Sequence, residues 1–582
     1  MSRLSAVRGL TRNVRFALSF GTRALVDDPV WLLVQAVRRS PARVRSGAVR
    51  ALGLAPSPSA PRALSRYLAG DSAGAADEST RLLESSGGRS RIGAEVAVAV
   101  GRPDLLDAVP SRGPARLRAL WQRGDVAALR AARASGRAER RVLASLLGQV
   151  DALAPRAEVA PRERHAAAPG PTTPLAVLHH LTNSLPHTQS GYTLRSHAVL
   201  TAQRDAGMRV AATTRAGYPV TIGSLAAREV DVVDGIPYRR LIPSGLPNDP
   251  ARRFADATDL LVRSAEDFAP DLLHTTTPGT NGDVTRAAAR RLGIPWVYEV
   301  RGLPEETWVA SHGTPAAREA AERSERRALL RAKETELATD ADAVVTLSAT
   351  MRDELVSRGV PAERISVVPN AVRTSLLDEH RAPAAARAAI GLPEAAFVVG
   401  TVSSLVGYEG HDTILRAVAA LRRRGVDATA LVVGDGVSRP SLVRLADELG
   451  LGAHAILPGR VPHEEAPLYM AALDVFLVPR RDDRVTRLVT PLKPVEAMAI
   501  GRPVVASDLP ALAEVLDAPR GGRLVAPDDV EAWADTIESL HHDAALSEEL
   551  VTRGRALASE RTWTRNADAY QRIYRRCLGF VS

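Results

Sequence analysis

Lysine is scarce in this 582-residue chain: of 76 cationic residues two are lysines and 74 (76 − 2) are arginines. One lysine, Lys493, stands in Thr490-Pro491-Leu492-Lys493-Pro494-Val495-Glu496-Ala497-Met498-Ala499, which runs into Gly501-Arg502-Pro503-Val504-Val505-Ala506-Ser507. The pattern predicts a loop, a helix beginning at Pro494, then a buried strand. Proline suits a first helical turn because its missing N–H would lack a partner there anyway. Free backbone N–H groups and the helix dipole make such a start an anion site. A lysine beside it adds a compact, mobile charge suited to phosphate. Glu496 falls in the first turn, where a carboxylate can accept a sugar diol. The plainer readings are a surface lysine on a solvated turn and a glutamate that complements the dipole.

Other loops fall at the same sheet edge. Small residues in Gly400-Thr401-Val402-Ser403-Ser404-Leu405-Val406-Gly407-Tyr408-Glu409-Gly410-His411-Asp412 allow a ligand close to the backbone before a helix starting near His411. Val432-Val433-Gly434-Asp435-Gly436 closes a strand without being a dinucleotide fingerprint, because Arg439 takes the third glycine's place. Gly459-Arg460-Val461-Pro462 forms a further loop. Asp340-Ala341-Asp342 looks like a metal-binding pair but precedes its strand, at the wrong edge of the sheet; no metal site is expected.

The elements that must position these loops alternate strand and helix from Pro174 onward. Strands are expected near 175–179, 209–213, 272–275, 296–300, 343–347, 398–402, 428–433, 475–478 and 503–506. The fold class is therefore α/β, with two Rossmann-like doubly wound domains facing each other across a cleft. An all-helical region precedes them over 61–153, with glycine breaks at Gly70, Gly87-Gly88, Gly101 and Gly124 that suit short stacked helices. The expected divisions are a basic arm over 1–60, the helical region 61–153, a linker over 154–173, domains over 174–382 and 383–560, and a final helix over 561–582.

A chain of 582 residues exceeds one ordinary core. The hydrophobic content of 45% and charge of 24% describe a soluble globular protein. Cys577, the single cysteine, excludes an internal disulfide and any cysteine-based metal cluster. No apolar run approaches a membrane span and no signal peptide begins the chain, so a cytoplasmic protein is expected, placed peripherally on the inner face of the plasma membrane if the arm binds lipid. Residues 1–60 hold ten arginines against Asp27 and Asp28, a charge of +8 (10 − 2). Within them Val30, Leu33, Val34 and Val37 share a helix face, with Trp31 on its flank. Such an arm suits an anionic membrane surface or docking on the next domain. It lacks the aromatic interleaving and motifs of nucleic-acid binders, and no nucleic-acid partner is expected.

Residues 174–580 resemble glycosyltransferase family 4, whose members have the GT-B fold. The resemblance rests on Ser184-Leu185-Pro186 with Ser190-Gly191-Tyr192-Thr193-Leu194-Arg195, on Tyr298-Glu299-Val300-Arg301-Gly302, Val368-Pro369-Asn370 and the Glu496–Ser507 run, and on Arg561-Thr562-Trp563 with Tyr570 and Tyr574. Tyr408-Glu409-Gly410 and Leu488-Val489-Thr490-Pro491-Leu492-Lys493-Pro494 resemble a branch serving exported polysaccharides. The resemblance implies transfer of a sugar from a nucleotide-diphosphate donor with retention at the anomeric carbon, without metal or resident cofactor, to a polysaccharide or lipid-linked acceptor. It assigns the diphosphate to Lys493, the backbone near Thr490, Pro491 and Leu492, the loop holding Ser403, Ser404 and Gly407, and Gly191 with Tyr192 from the opposite domain. Glu496 would hold the ribose, and Gly459 to Val461 the base. The family's two glutamates eight positions apart appear here as Leu488 and Glu496, and its usual Arg and Lys of the first loop as Ser404 and Glu409. Arg301 and Arg487 could supply the missing charge, and His274 stands where the family often has a His pair, its partner position being Thr276. The alternative is a degenerate scaffold that keeps nucleotide-sugar affinity without turnover.

Overall fold

The computed structural model describes residues 3–27, 30, 42–107, 113–154, 174–247, 249–379 and 381–580. The helix face expected at Leu33, Val34 and Val37, Trp31 on its flank, and the linker from 155 to 173 lie outside the described residues. An amino-terminal helix, Arg3–Asp27, is followed by an array with seven α-helices among the described residues, running from Ala42–Gly53 to Arg137–Leu153. The first of these packs on Ala60–Leu68, so the array begins earlier than residue 61. Ser59, Asp71, Ser90 and Asp125 each cap a helix by accepting an N–H from its first turn. Gly124 closes one helix at φ +79, where a side chain would be strained.

The first α/β unit is an eight-stranded sheet of β1 (Ala176–Leu181), β2 (Arg209–Thr214), β3 (Val230–Val233), β4 (Ile236–Arg239), β5 (Leu272–Thr276), β6 (Trp296–Val300), β7 (Ala343–Thr346) and β8 (Ile365–Val367). Its order is β3-β4-β2-β1-β5-β6-β7-β8, parallel except for the β3–β4 hairpin. That hairpin escaped the sequence reading, although Asp234-Gly235 is a turn signal and both residues take positive φ, +47 and +77. The second unit has β9 (Phe397–Val402), β10 (Ala428–Val433), β11 (Ala455–Gly459), β12 (Val475–Val478), β13 (Val504–Ser507) and β14 (Arg523–Val525) in the order β11-β10-β9-β12-β13-β14. Strands buried on both faces, such as β1 and β10, read as continuous apolar runs because helices cover each side.

Val372 and Leu376 already belong to the core of the second unit, so the chain changes units about ten residues before 383. The closing helix, Trp563–Cys577, returns to the first unit and seats Trp563, Tyr570, Ile573 and Tyr574 in its core. The array touches both units. Arg326 lies between Trp121 and Trp308, 4.0 and 4.8 Å from their ring centroids, and donates to the Trp121 carbonyl. On the other side, a Cβ at Gly70 would sit 2.6 Å from Pro440 Cγ in the second unit.

Candidate active site

The strand order reverses between β1 and β5 and again between β9 and β12, and the loops leaving these carboxyl ends meet across the cleft. They bound a cavity of about 1020 Å³ lined by Leu185, Pro186, His463, Lys493, Glu496 and Trp563, among others. The Gly191 helix, Gly191–Asp205, opens with a capping box in which Ser190 accepts the Thr193 N–H and Thr193 Oγ1 accepts the Ser190 N–H. Lys493 is the first residue of the helix Lys493–Ile500, one position before the expected start, with Leu492 as its N-cap. Its Nζ lies 2.6 Å from Glu496 Oε2, both half-buried. Thr490 is buried, and among the described residues its Oγ1 has no hydrogen-bond partner.

The glycine loops pack tightly behind this pair. Gly434 has φ +142, and a Cβ there would lie 1.8 Å from the Ser403 carbonyl oxygen, so only glycine lets these two loops touch. Ser403, Ser404 and Gly407 are solvent-accessible at the cleft side of β9. Gly459 takes φ +90 beside Arg439, and Val461 packs on the core beneath. Tyr192 is 60% exposed, and its phenol lies within electrostatic reach of Arg301, Arg480 and Glu409, charges drawn from both units.

The geometry shows what three of the expected site residues contact. His274 does not face the cleft: it is fully buried, stacked on His179 at 4.5 Å, 2.6 Å from the Tyr574 hydroxyl and 3.2 Å from Glu299 Oε2. Arg301 is also buried and committed, donating to Glu299 Oε2 at 2.8 Å and Ser196 Oγ at 2.6 Å. Arg487 is half-exposed and paired with Asp482 at 2.6 Å. His274 and Arg301 are committed inside the first unit, whereas Arg487, like Lys493, is held in an ion pair that solvent reaches.

The sequence reading missed how its own motif fragments connect. Glu299 accepts from Arg301, from Arg195 Nη2 at 2.9 Å and from the Tyr570 hydroxyl at 3.0 Å. Burial alone would push its carboxyl up, but Arg301, Arg195 and His274 outweigh it and hold it well below the usual carboxylate range. Burial pushes His179 and His274 down, so both are neutral at neutral pH. Arg195 also grips the carbonyls of Val368 and Pro369 and the Asn370 side chain. Asn370 Nδ2 in turn donates to the Thr490 carbonyl at 3.1 Å, within the loop that precedes Lys493.

The positions where family resemblance led us to expect charge are explained by packing. Leu488 and Val489 pack on the apolar core of the first unit. Arg484 of the same segment, Arg484–Leu488, binds both Glu354 oxygens at 2.8 Å across the cleft. Glu409 is held bidentately by Arg480, at 2.8 and 3.1 Å. The signal for Arg480 lay only in its place at the end of β12.

Two parallel sheets facing across a cleft, with a helix-start Lys–Glu pair on one side and a capped helix start on the other, define a GT-B glycosyltransferase. Residues 190–371 match the model of the glycosyl transferase 4-like domain and residues 396–543 that of glycosyl transferases group 1. The chain belongs to glycosyltransferase family 4. It is 31% identical over 326 residues to the D-inositol 3-phosphate glycosyltransferase of Saccharomonospora viridis, a match covering 53% of this chain and 70% of that one. It is 32% identical over 222 residues, 38% of this chain and 58% of the other, to the GDP-mannose-dependent alpha-(1-6)-phosphatidylinositol monomannoside mannosyltransferase of Mycolicibacterium smegmatis. Among solved structures, sucrose-phosphate synthase from Thermosynechococcus elongatus aligns with TM-score 0.56 at 20% identity, over 69% of this chain and 99% of that one. Anabaena HepE, in complex with UDP-glucose, aligns with TM-score 0.51 at 21% identity, over 70% and 100%. These likenesses carry the fold.

Proposed function

We propose that this glycosyltransferase moves a sugar from a nucleotide-diphosphate donor, with retention and without a metal ion, to a cell-surface polysaccharide or lipid-linked acceptor at the inner membrane face. The observation that carries this reading is the placement of Lys493 and Glu496 together at a helix start lining the cavity opposite the Gly191 helix. Cleaving the glycosyl–phosphate bond builds positive charge on the sugar ring and negative charge on the leaving diphosphate. Lys493, the backbone from Thr490 to Leu492, the Ser403–Ser404–Gly407 loop and the Gly191–Tyr192 turn would receive that diphosphate. Glu496 would exchange its contact with Lys493 for the ribose diol, and Gly459 to Val461 would border the base. The named activities of the relatives on inositol phosphate and phosphatidylinositol mannoside support an acceptor carrying a phosphorylated polyol or lipid.

Thermal stabilisation against a panel of nucleotide diphosphates and their sugars, without metal, tests the assignment. A shift with one sugar nucleotide that disappears in Lys493→Ala is expected; an undiminished shift in that variant removes Lys493 from the donor site. A second reading, a scaffold that binds donor without turnover, draws support from the pairing of Arg480 with Glu409, Arg487 with Asp482 and Arg301 with Glu299. Donor binding without transfer to any lipid-linked or inositol acceptor would select it.

A further inference from the structure

The amino-terminal helix wears its amphipathicity inside out. Its protein-facing side carries Asn13, fully buried and donating to the carbonyls of Leu225 and Ala227, together with Phe16 and Ser19. Ser19 Oγ accepts the Leu246 N–H at 3.1 Å. Gly217, at φ +81, leaves the room Phe16 needs: a Cβ there would lie 2.6 Å from its ring. The outward side carries Leu10, Val14 and Leu18, spaced four apart on one stripe and 49%, 37% and 62% exposed. A surface helix ordinarily turns its leucines inward and its polar residues to water. Here docking uses an asparagine, a serine, an alanine and one phenylalanine, and the aliphatic stripe is left outside.

Location and charge indicate what meets this stripe. The helix sits on Val220 and Ile242, residues that follow β2 and β4 at the carboxyl edge of the sheet, the same edge that opens into the cleft. Ile222 and Leu225, 44% and 42% exposed, add apolar surface in the loop beneath it. That platform continues into the cleft wall: the Tyr218 hydroxyl donates to the Ser184 carbonyl, and Arg240 donates to Ser184 and Leu185. Arg15 is exposed beside the stripe, and the first 60 residues carry ten arginines against two aspartates. Aliphatic residues flanked by arginine, in a segment whose sequence is strongly positive, match the apolar interior and negative headgroups of an anionic bilayer.

We infer that the Leu10–Val14–Leu18 face of the amino-terminal helix lies in the surface of an anionic lipid bilayer and holds the mouth of the cleft against it. This rests on the membrane-facing reading of the arm and assigns the contact to a face that lies apart from the segment around Trp31.

The test is flotation of the full chain with vesicles of phosphatidylglycerol and phosphatidylcholine, and with phosphatidylcholine alone. Wild type is expected to float with the anionic vesicles, and Leu10→Ser/Val14→Ser/Leu18→Ser to lose about tenfold or more in partitioning. Unchanged far-ultraviolet circular dichroism and melting temperature would show that the triple variant is folded; if it is not, Leu18→Ser alone serves. Equal flotation of variant and wild type overturns the assignment to this face while leaving the membrane reading of the arm standing. Failure of wild type to float with either vesicle overturns both. Light scattering supplies a third decisive result: a wild-type dimer that the variant dissolves would make the stripe a contact between copies of this chain, contrary to the proposal.

Discussion

Arg195 and Asn370, 175 residues apart in sequence, are joined by a 2.9 Å hydrogen bond from the guanidinium Nη1 to the amide Oδ1. The bond ties the Gly191 helix to the passage between the two units, and through the other end of the amide to the Thr490 carbonyl. One asparagine thus links the loop before Lys493 to the first unit, beside the packing of Leu488 and Val489 there.

Asn370→Asp separates those two functions. A carboxylate still accepts from Arg195 but cannot donate to Thr490, and it sets a negative charge against a carbonyl. Loss of one such hydrogen bond costs about 1 kcal/mol, or roughly fivefold in affinity. Donor-induced thermal stabilisation should shrink while the unliganded melting temperature changes little; an unchanged donor response would remove Asn370 from the positioning of that loop.

Glu299→Gln should be far more damaging to stability than its distance from the cleft suggests. It leaves Arg195 and Arg301 buried without their shared counter-charge, a loss of about 3–5 kcal/mol. Chemical denaturation would measure it. A loss under about 1 kcal/mol would mean that the arginines find other partners.

Acid should loosen the first unit before most carboxylates titrate. Burial pushes the His180 imidazole down to about 4 from an ordinary 6.5, and His179 and His274 also downward. Between those values the unfolded chain binds protons that the folded chain refuses, so stability is complete above pH 6.5 and falls as pH drops toward 4. His180 contributes up to about 1.4 kcal/mol per pH unit in that window, and His179 and His274 act in the same direction. Glu334, raised to about 7 chiefly by burial, acts in the opposite sense, favouring the fold as pH falls below 7. With three histidines against one glutamate, denaturation midpoints should decline from about pH 6.5 to 5; a flat profile would contradict the burial of neutral imidazoles.

Much of this arrangement was legible in the chain because parallel strands covered on both faces announce themselves as apolar runs, and because Pro494 and Glu496 mark a helix start. The edge hairpin was not, since β3 and β4 are half-exposed and only four residues each. Nor was the fate of Arg301 and His274. A sequence shows that a charge is present, whereas its availability depends on partners brought from 100 or more residues away, as Glu299 meets Arg195 and Tyr570. Leu488 is a similar case: the residue type excludes a carboxylate, but that it seals one unit against the other emerges only in three dimensions.

Leu488→Glu tests that seal. Restoring the acid expected from the family pattern would bury a carboxylate against the apolar core of the first unit, costing about 2–4 kcal/mol at neutral pH. Reduced melting temperature without tighter donor binding is expected. A gain in donor affinity would show that position 488 still faces the nucleotide.

The two-sided contact of the helical array changes what hinge motion means here. Where the chain crosses between units, Val372 and Thr562 bridge as neighbours, forming a pivot. Apart from that crossing, the array grips Arg326 in one unit and abuts Pro440 in the other. A clamp free to swing has one joint; this molecule has a joint and a spacer. Widening the cleft must either part Gly70 from Pro440 or bend the stack of helices. Any opening of the cleft would therefore work against the array as well as the crossing between units, although the array stands apart from Lys493 and Glu496.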